Sequence, residues 1–90
     1  MNYVYILKSK RTSGLYIGYT SNLVERLKEH NSGLSQYTKK YLPWRYVYFE
    51  GYADENDAKN REKKLKQFGK VYSQLKRRIG RSLGAEKVRG

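Results

Sequence analysis

Tyr3-Val4-Tyr5-Ile6-Leu7 and Leu15-Tyr16-Ile17-Gly18-Tyr19 stand on either side of the polar stretch Ser9-Lys10-Arg11-Thr12-Ser13-Gly14. Both segments are short and rich in aromatic and β-branched residues, and the connection ends in glycine, so the pair reads as a β-hairpin. Side chains alternate across a strand, which places Val4 and Ile6 on one face and Tyr3 and Tyr5 on the other. In the second strand Leu15, Ile17 and Tyr19 share a face, leaving Tyr16 and Gly18 opposite. With Val4, Ile6, Leu15 and Ile17 on the core side, Tyr5, Tyr16 and the bare backbone of Gly18 meet on one surface. Two phenols then stand beside a spot where a ligand can approach the main chain. The competing reading is that the tyrosines are ordinary strand formers, which aromatic residues often are.

Outward from the hairpin, Thr20-Ser21-Asn22 offers capping side chains, and Leu23, Val24 and Leu27 follow at helical spacing, predicting a helix over 22–31 that ends at Asn31-Ser32-Gly33. Arg26 and His30 lie one turn apart at the edge of its apolar stripe, where side chains can lean toward the sheet. Residues 32–44 read as a loop rich in aromatic and basic residues. Its Tyr37, Lys39, Lys40 and Tyr41 suit base stacking and phosphate contact, whereas Tyr41, Leu42 and Trp44 equally suit a cap on the core.

A third strand is expected at 45–52 and a second helix from Asp54 to Phe68, with Gly69 as its stop. On that helix Glu62 shares the stripe of Ala58 and Leu65. A carboxylate directed inward needs a cation or a metal ion, so Glu62 is either half of a structural ion pair, with Arg45 or Arg26, or a magnesium ligand. A third helix over 71–79 directs Tyr72, Leu75 and Ile79 inward and Lys76, Arg77 and Arg78 outward. The expected architecture is α+β: a three-stranded, mostly antiparallel sheet flanked by about three helices, one domain over residues 1–79, with 80–90 a basic, flexible tail.

Ninety residues suffice for a single modest core. The chain lacks cysteine and has one histidine, His30, so disulfide frameworks and thiolate or polyhistidine metal sites are excluded, and a metal here must be held by oxygen. The formal charge of +12 is uneven: residues 1–58 carry eight Lys/Arg against six Asp/Glu, and residues 59–90 twelve against two. Such a balance attracts polyanions and makes nucleic acid the leading partner, with a solvated helix face or an anionic membrane surface the weaker readings. The start is strand-like and nothing approaches transmembrane length, so the cytoplasm is the expected compartment and no membrane partner is expected.

Tyr3-Val4-Tyr5 followed by Tyr16-Ile17-Gly18 resembles the signature of the GIY-YIG endonuclease superfamily, in particular small stand-alone members akin to the N-terminal nuclease domain of the UvrC excision-repair protein. The resemblance extends to about Phe68, with Tyr3 in place of the motif's first Gly and Tyr19 in place of the Lys that follows the second motif in the excision nuclease. It implies that Arg26 contacts the scissile phosphate, that His30 occupies a position often Tyr or His, and that Glu62 binds the metal. It further implies one divalent ion, Mg2+ or Mn2+, with Tyr5 activating water and Tyr16 hydrogen-bonding in the site. Gly18, Lys39, Lys40, Lys63, Lys76 and Arg77 are the expected nucleic-acid contacts. The function expected from these residues is metal-dependent cleavage of DNA, structure-selective or weakly sequence-selective, in repair or recombination. RNA is the second possible polymer, and a non-catalytic DNA- or RNA-binding module on the same scaffold is the alternative.

Overall fold

The structure, a computed structural model, describes residues 1–84. Strands β1 (Asn2–Ser9) and β2 (Leu15–Thr20) form the expected hairpin, and β3 (Trp44–Tyr52) adds to the far side of β1, giving the order β2-β1-β3 with both pairings antiparallel. The hairpin turn is held by Ser9, whose backbone N–H donates to Gly14 O at 3.0 Å and whose Oγ accepts from the N–H groups of Arg11 and Thr12. Phe49 pairs with Tyr5 and Tyr48 with Ile6, and a bulge between Ile6 and Leu7 then shifts the β3 register so that Tyr46 pairs with Leu7.

Helices cover both faces. α1 (Leu23–Asn31) starts where Asn22 Oδ1 accepts from Glu25 N–H at 3.0 Å, and it ends before Gly33, whose φ of +84° is the left-handed conformation that favours glycine. A 3-10 turn, Thr38–Tyr41, lies within the loop that follows. α2 (Glu55–Gln67) is capped by Asp54, which accepts from Asn56 N–H at 2.7 Å. Gly69 does not act as the stop expected from the sequence. The chain leaves α2 at Phe68, in extended backbone at φ −112° and ψ 102°, and Gly69 opens α3 (Gly69–Arg78) directly. Residues Gly80–Leu83 form a short α4 rather than tail: Leu83 returns to the core and Arg45 Nη2 donates to Ser82 O at 3.3 Å. The remainder of the expected tail, 85–90, lies outside the described residues.

The core is double. On one face Val4 and Ile6 pack against Ala58 and Leu65 of α2, Leu75 of α3 and Ile79 just beyond its end. On the other, Tyr5, Leu7 and Trp44 pack with Tyr16, Tyr46 and the α1 residues Leu23 and Leu27. The strand alternation expected from the sequence is therefore realised, and the tyrosine face is itself buried beneath α1. Burying a large aliphatic side chain contributes roughly 1.5–3 kcal/mol, and Val4, Ile6, Leu7 and Leu65 are all at most 2% exposed.

Candidate active site

The register pairs Tyr5 directly with Gly18, and this pairing builds the site. A Cβ on Gly18 would coincide with the hydroxyl and ring of Tyr5, so the phenol lies flat across the glycine and occupies the space a side chain would take. Gly18 is buried beneath it. On this face the bare backbone of Gly18 admits the ring of Tyr5.

Tyr5 is fully buried and its hydroxyl is bonded from two sides. Arg26 Nε donates to it at 3.2 Å, and His30 Nε2 lies 2.8 Å away. With the phenolic oxygen accepting from Arg26, its proton goes to the lone pair of His30 Nε2. That leaves His30 Nδ1–H to donate to Thr38 Oγ1 at 2.8 Å. The chain Arg26, Tyr5, His30, Thr38 is thus satisfied end to end. His30 is sealed from solvent; burial and then the Arg26 charge lower its pKa to about 4, so it is neutral near pH 7. Burial pushes the Tyr5 phenol up to about 12, against the opposing pull of Arg26. The water activation that the resemblance implies for Tyr5 would have to work from this buried, doubly bonded hydroxyl. Tyr5 and His30 hold Arg26 in place.

Arg26 is half-exposed. Nη1 donates to Glu29 Oε1 at 2.8 Å, and its pKa is raised, mainly by this carboxylate, so the cation is permanent. Of the five N–H donors of a guanidinium, one goes to Tyr5 and one to Glu29, leaving three for a ligand. Tyr16 stands beside this group: its ring centroid is 5.0 Å from that of His30, 6.3 Å from Tyr5 and 5.6 Å from Tyr37. Unlike Tyr5, Tyr16 is only half-buried, and its hydroxyl makes no hydrogen bond among the described residues. The surface therefore presents a fixed guanidinium next to an uncommitted phenol, which suits a phosphate.

Glu62 is placed elsewhere. It lies on α2, which packs on the Val4/Ile6 face, and its charge is felt by Tyr19, which is on that face too. Its side chain is 22% exposed, and Oε2 pairs with Lys66 at 2.9 Å rather than with Arg45 or Arg26. The helix that carries Glu62 thus packs on one face of the sheet and the helix that carries Arg26 and His30 on the other. Among the described residues no group of three or more His, Cys, Asp or Glu is arranged to hold a metal ion. The donor set is one partly exposed carboxylate, which fits a hard cation that takes its other ligands from water and phosphate.

The expected nucleic-acid contacts are also divided. Lys39 and Lys40 are exposed on the loop next to Tyr16 and Tyr37, whereas Lys63 on α2 and Lys76 and Arg77 on α3 belong to helices of the other face. Lys76 lies over the Tyr72 ring at 4.6 Å. Two positioning residues escaped the sequence reading. Thr38 orients His30, and Asn31 fixes Trp44 through bonds to its N–H and C=O. Nothing in the sequence marks Thr38, since the contact depends on the path of the loop. Asn31 does fall one residue after His30 on the last turn of α1.

Residues 1–76 match the family model described as the GIY-YIG catalytic domain. A UPF0213 protein of Clostridium perfringens is 48% identical over 67 residues, covering 73% of this chain and 71% of that protein. A UPF0213 protein of Staphylococcus haemolyticus is 41% identical over 70 residues, covering 77% of this chain and 84% of its relative. The solution NMR structure of a UPF0213 protein from Bacillus halodurans superposes with a TM-score of 0.56 at 30% identity, covering 99% of this chain and 98% of the other. The shared α+β architecture agrees with the three-stranded sheet described above.

Proposed function

The chain belongs to the GIY-YIG catalytic-domain family, and on that premise we propose that it is a divalent-metal-dependent endonuclease hydrolysing phosphodiester bonds in DNA, structure-selective or weakly sequence-selective, with a role in repair or recombination. The observation that carries this reading is Arg26, held by the buried Tyr5 hydroxyl and by Glu29 with three donors left over, next to the free hydroxyl of Tyr16. A guanidinium fixed in advance spends little freedom on binding and offsets the charge that accumulates on the phosphate in the transition state. Tyr16 orients a phosphate oxygen or the attacking water through its hydroxyl. Tyr5, His30 and Thr38 keep the guanidinium from rotating away and exclude water from behind it.

Glu62 is the residue assigned to hold Mg2+ or Mn2+, together with water and the substrate phosphate, around the β2 edge of the sheet. When bound, such an ion polarises the phosphate and stabilises the departing oxygen. The position of Glu62 across the sheet, and its pairing with Lys66, favour a second reading: a DNA- or RNA-binding module that keeps the arginine site without turnover. No helix among the described residues is long and apolar enough to cross a membrane.

Labelled duplex, branched and single-stranded DNA incubated with magnesium separates the two readings. The nuclease reading expects nicking that Arg26→Ala slows at least 100-fold and that Glu62→Ala abolishes, while salt-sensitive DNA binding persists in the Glu62 variant. Wild-type binding without cleavage of any substrate selects the binding module. Full activity of Glu62→Ala removes that residue from the metal site.

A further inference from the structure

The hairpin turn and the loop after α1 flank an open cavity of about 300 Å³, with Thr12, Ser13 and Gly14 on one wall and Tyr37, Tyr41 and Trp44 on the other. The two walls are tied together: Lys10 N–H donates to Pro43 O at 2.8 Å and Ser9 Oγ donates to Tyr41 O at 2.8 Å. Within the loop wall, Trp44 Nε1 donates to Thr38 O at 2.8 Å. The cavity is therefore formed before any ligand arrives.

Its aromatic residues divide by exposure. Trp44 is 3% exposed and caps the core, whereas Tyr37 is 62% and Tyr41 41% exposed. The capping role that the sequence also allowed for this loop is thus met by Trp44, leaving the two tyrosine rings open. Tyr37 continues the row of rings from Tyr16, 5.6 Å away, so the cavity lies one ring beyond the phenol beside Arg26. The surrounding charge is all of one sign: Lys10 and Arg11 on the turn and Lys39 and Lys40 on the loop are exposed, and residues 1–24 and 30–49 contain no Asp or Glu. Open aromatic faces within a cationic rim, beside a polar wall of hydroxyls and main chain, match an unpaired nucleobase with its flanking phosphates. The cations take the phosphates, the rings take the base, and Thr12 and Ser13 offer hydrogen bonds to its edge.

We infer that this cavity is a subsite for one unpaired nucleobase of the strand whose phosphate sits at Arg26, stacked against Tyr37 and Tyr41. The inference rests on the nucleic-acid reading of the Arg26 site and narrows it. The preferred substrate carries a single-stranded segment next to the phosphate that Arg26 engages, and a fully paired duplex leaves the cavity empty.

The test is binding by the full chain in EDTA, which prevents cleavage, to a fluorescent blunt duplex and to the same duplex with a four-nucleotide single-stranded extension containing 2-aminopurine. The extended duplex is expected to bind roughly tenfold or more tightly than the blunt one, with quenching of the 2-aminopurine by stacking. Tyr37→Ala and Tyr41→Ala should each remove most of that margin and the quenching, with blunt-duplex affinity held within about twofold, while Tyr37→Phe keeps both. Equal affinity for the two duplexes, or a margin that survives both alanine substitutions, overturns the subsite and leaves the Arg26 reading standing. Failure to bind either duplex at low salt overturns both.

Discussion

Placing a methyl group on Gly18 tests the central packing directly. In Gly18→Ala the new Cβ intrudes on the hydroxyl and Cζ of Tyr5 and comes within 2.9 Å of Cε2. Tyr5 has little room to retreat, because its hydroxyl is held by His30 and Arg26 and its ring packs edge-on to Tyr46 at 5.5 Å. Overpacking of this kind costs about 1–3 kcal/mol, and displacing the hydroxyl forfeits the His30 bond, about 1 kcal/mol more. Loss of glycine's freedom in the unfolded chain returns about 0.5–1 kcal/mol. The expected net loss is about 1–3.5 kcal/mol, a shift of roughly 1–3.5 M in urea midpoint at a slope of about 1 kcal/mol/M. Urea titration followed by fluorescence of Trp44, the chain's single tryptophan, measures it. The same substitution in a Tyr5→Leu background, where the phenol is gone, should cost well under 1 kcal/mol. A loss below about 0.5 kcal/mol in the first case, or equal losses in both, refutes the interlocking of Tyr5 and Gly18.

Other expectations follow from the same contacts. His30 has a folded pKa lowered to about 4 from an ordinary 6.5, so its contribution is complete above about pH 6.5 and is lost as pH falls toward 4. Urea midpoints across that range should drop more steeply for wild type than for His30→Gln, and parallel curves argue against a sealed neutral imidazole. Arg26→Lys keeps the charge but loses the fork that bonds Tyr5 and Glu29 together; single-turnover cleavage should slow more than tenfold with low-salt DNA affinity within about twofold, and unchanged cleavage rejects the fixed guanidinium. Arg61 Nε donates to Glu50 Oε1 at 2.6 Å, and Glu50 also accepts from Tyr48 at 2.9 Å. Arg61→Met strands that half-buried carboxylate and should cost about 1–2 kcal/mol, whereas an unmoved urea midpoint would mean the pair contributes nothing.

Much of this molecule is legible in one dimension where short-range rules govern it. The period-two alternation from Tyr3 to Leu7 and from Leu15 to Tyr19 sorts the two cores correctly, because a one-residue slip would turn Val4 and Ile6 outward. Asn22 and Asp54 announce their helices for local reasons. Arg26 and His30, one turn apart, do lean on Tyr5 as their spacing suggests. The reading weakens where the third dimension decides. A helical wheel places Glu62 in line with Ala58 and Leu65, yet it cannot say that α2 and α1 cover opposite sides of the sheet, nor that Lys66 one turn on takes the carboxylate. The bare backbone of Gly18 suggests room for a close approach, and only the cross-strand pairing shows that Tyr5 takes it. Thr38 meets His30 because of the course of a loop whose backbone no periodicity governs.

The middle strand has a bearing on how the protein breathes. Val4, Tyr5, Ile6 and Leu7 have no exposed surface, and β1 is paired on both sides. Its amide protons should trade with deuterated solvent only when the whole chain opens, while those on the outer edges of β2 and β3 escape through local fraying. The loop carrying Tyr37 and Lys39 is fastened to the same frame, through Ser9 Oγ to Tyr41 O and through Thr38 to the histidine that bonds Tyr5, so its backbone should resist fraying while the exposed Tyr37 and Lys39 side chains stay mobile. Even in a very small protein, motion is thereby left to side-chain tips rather than to main chain.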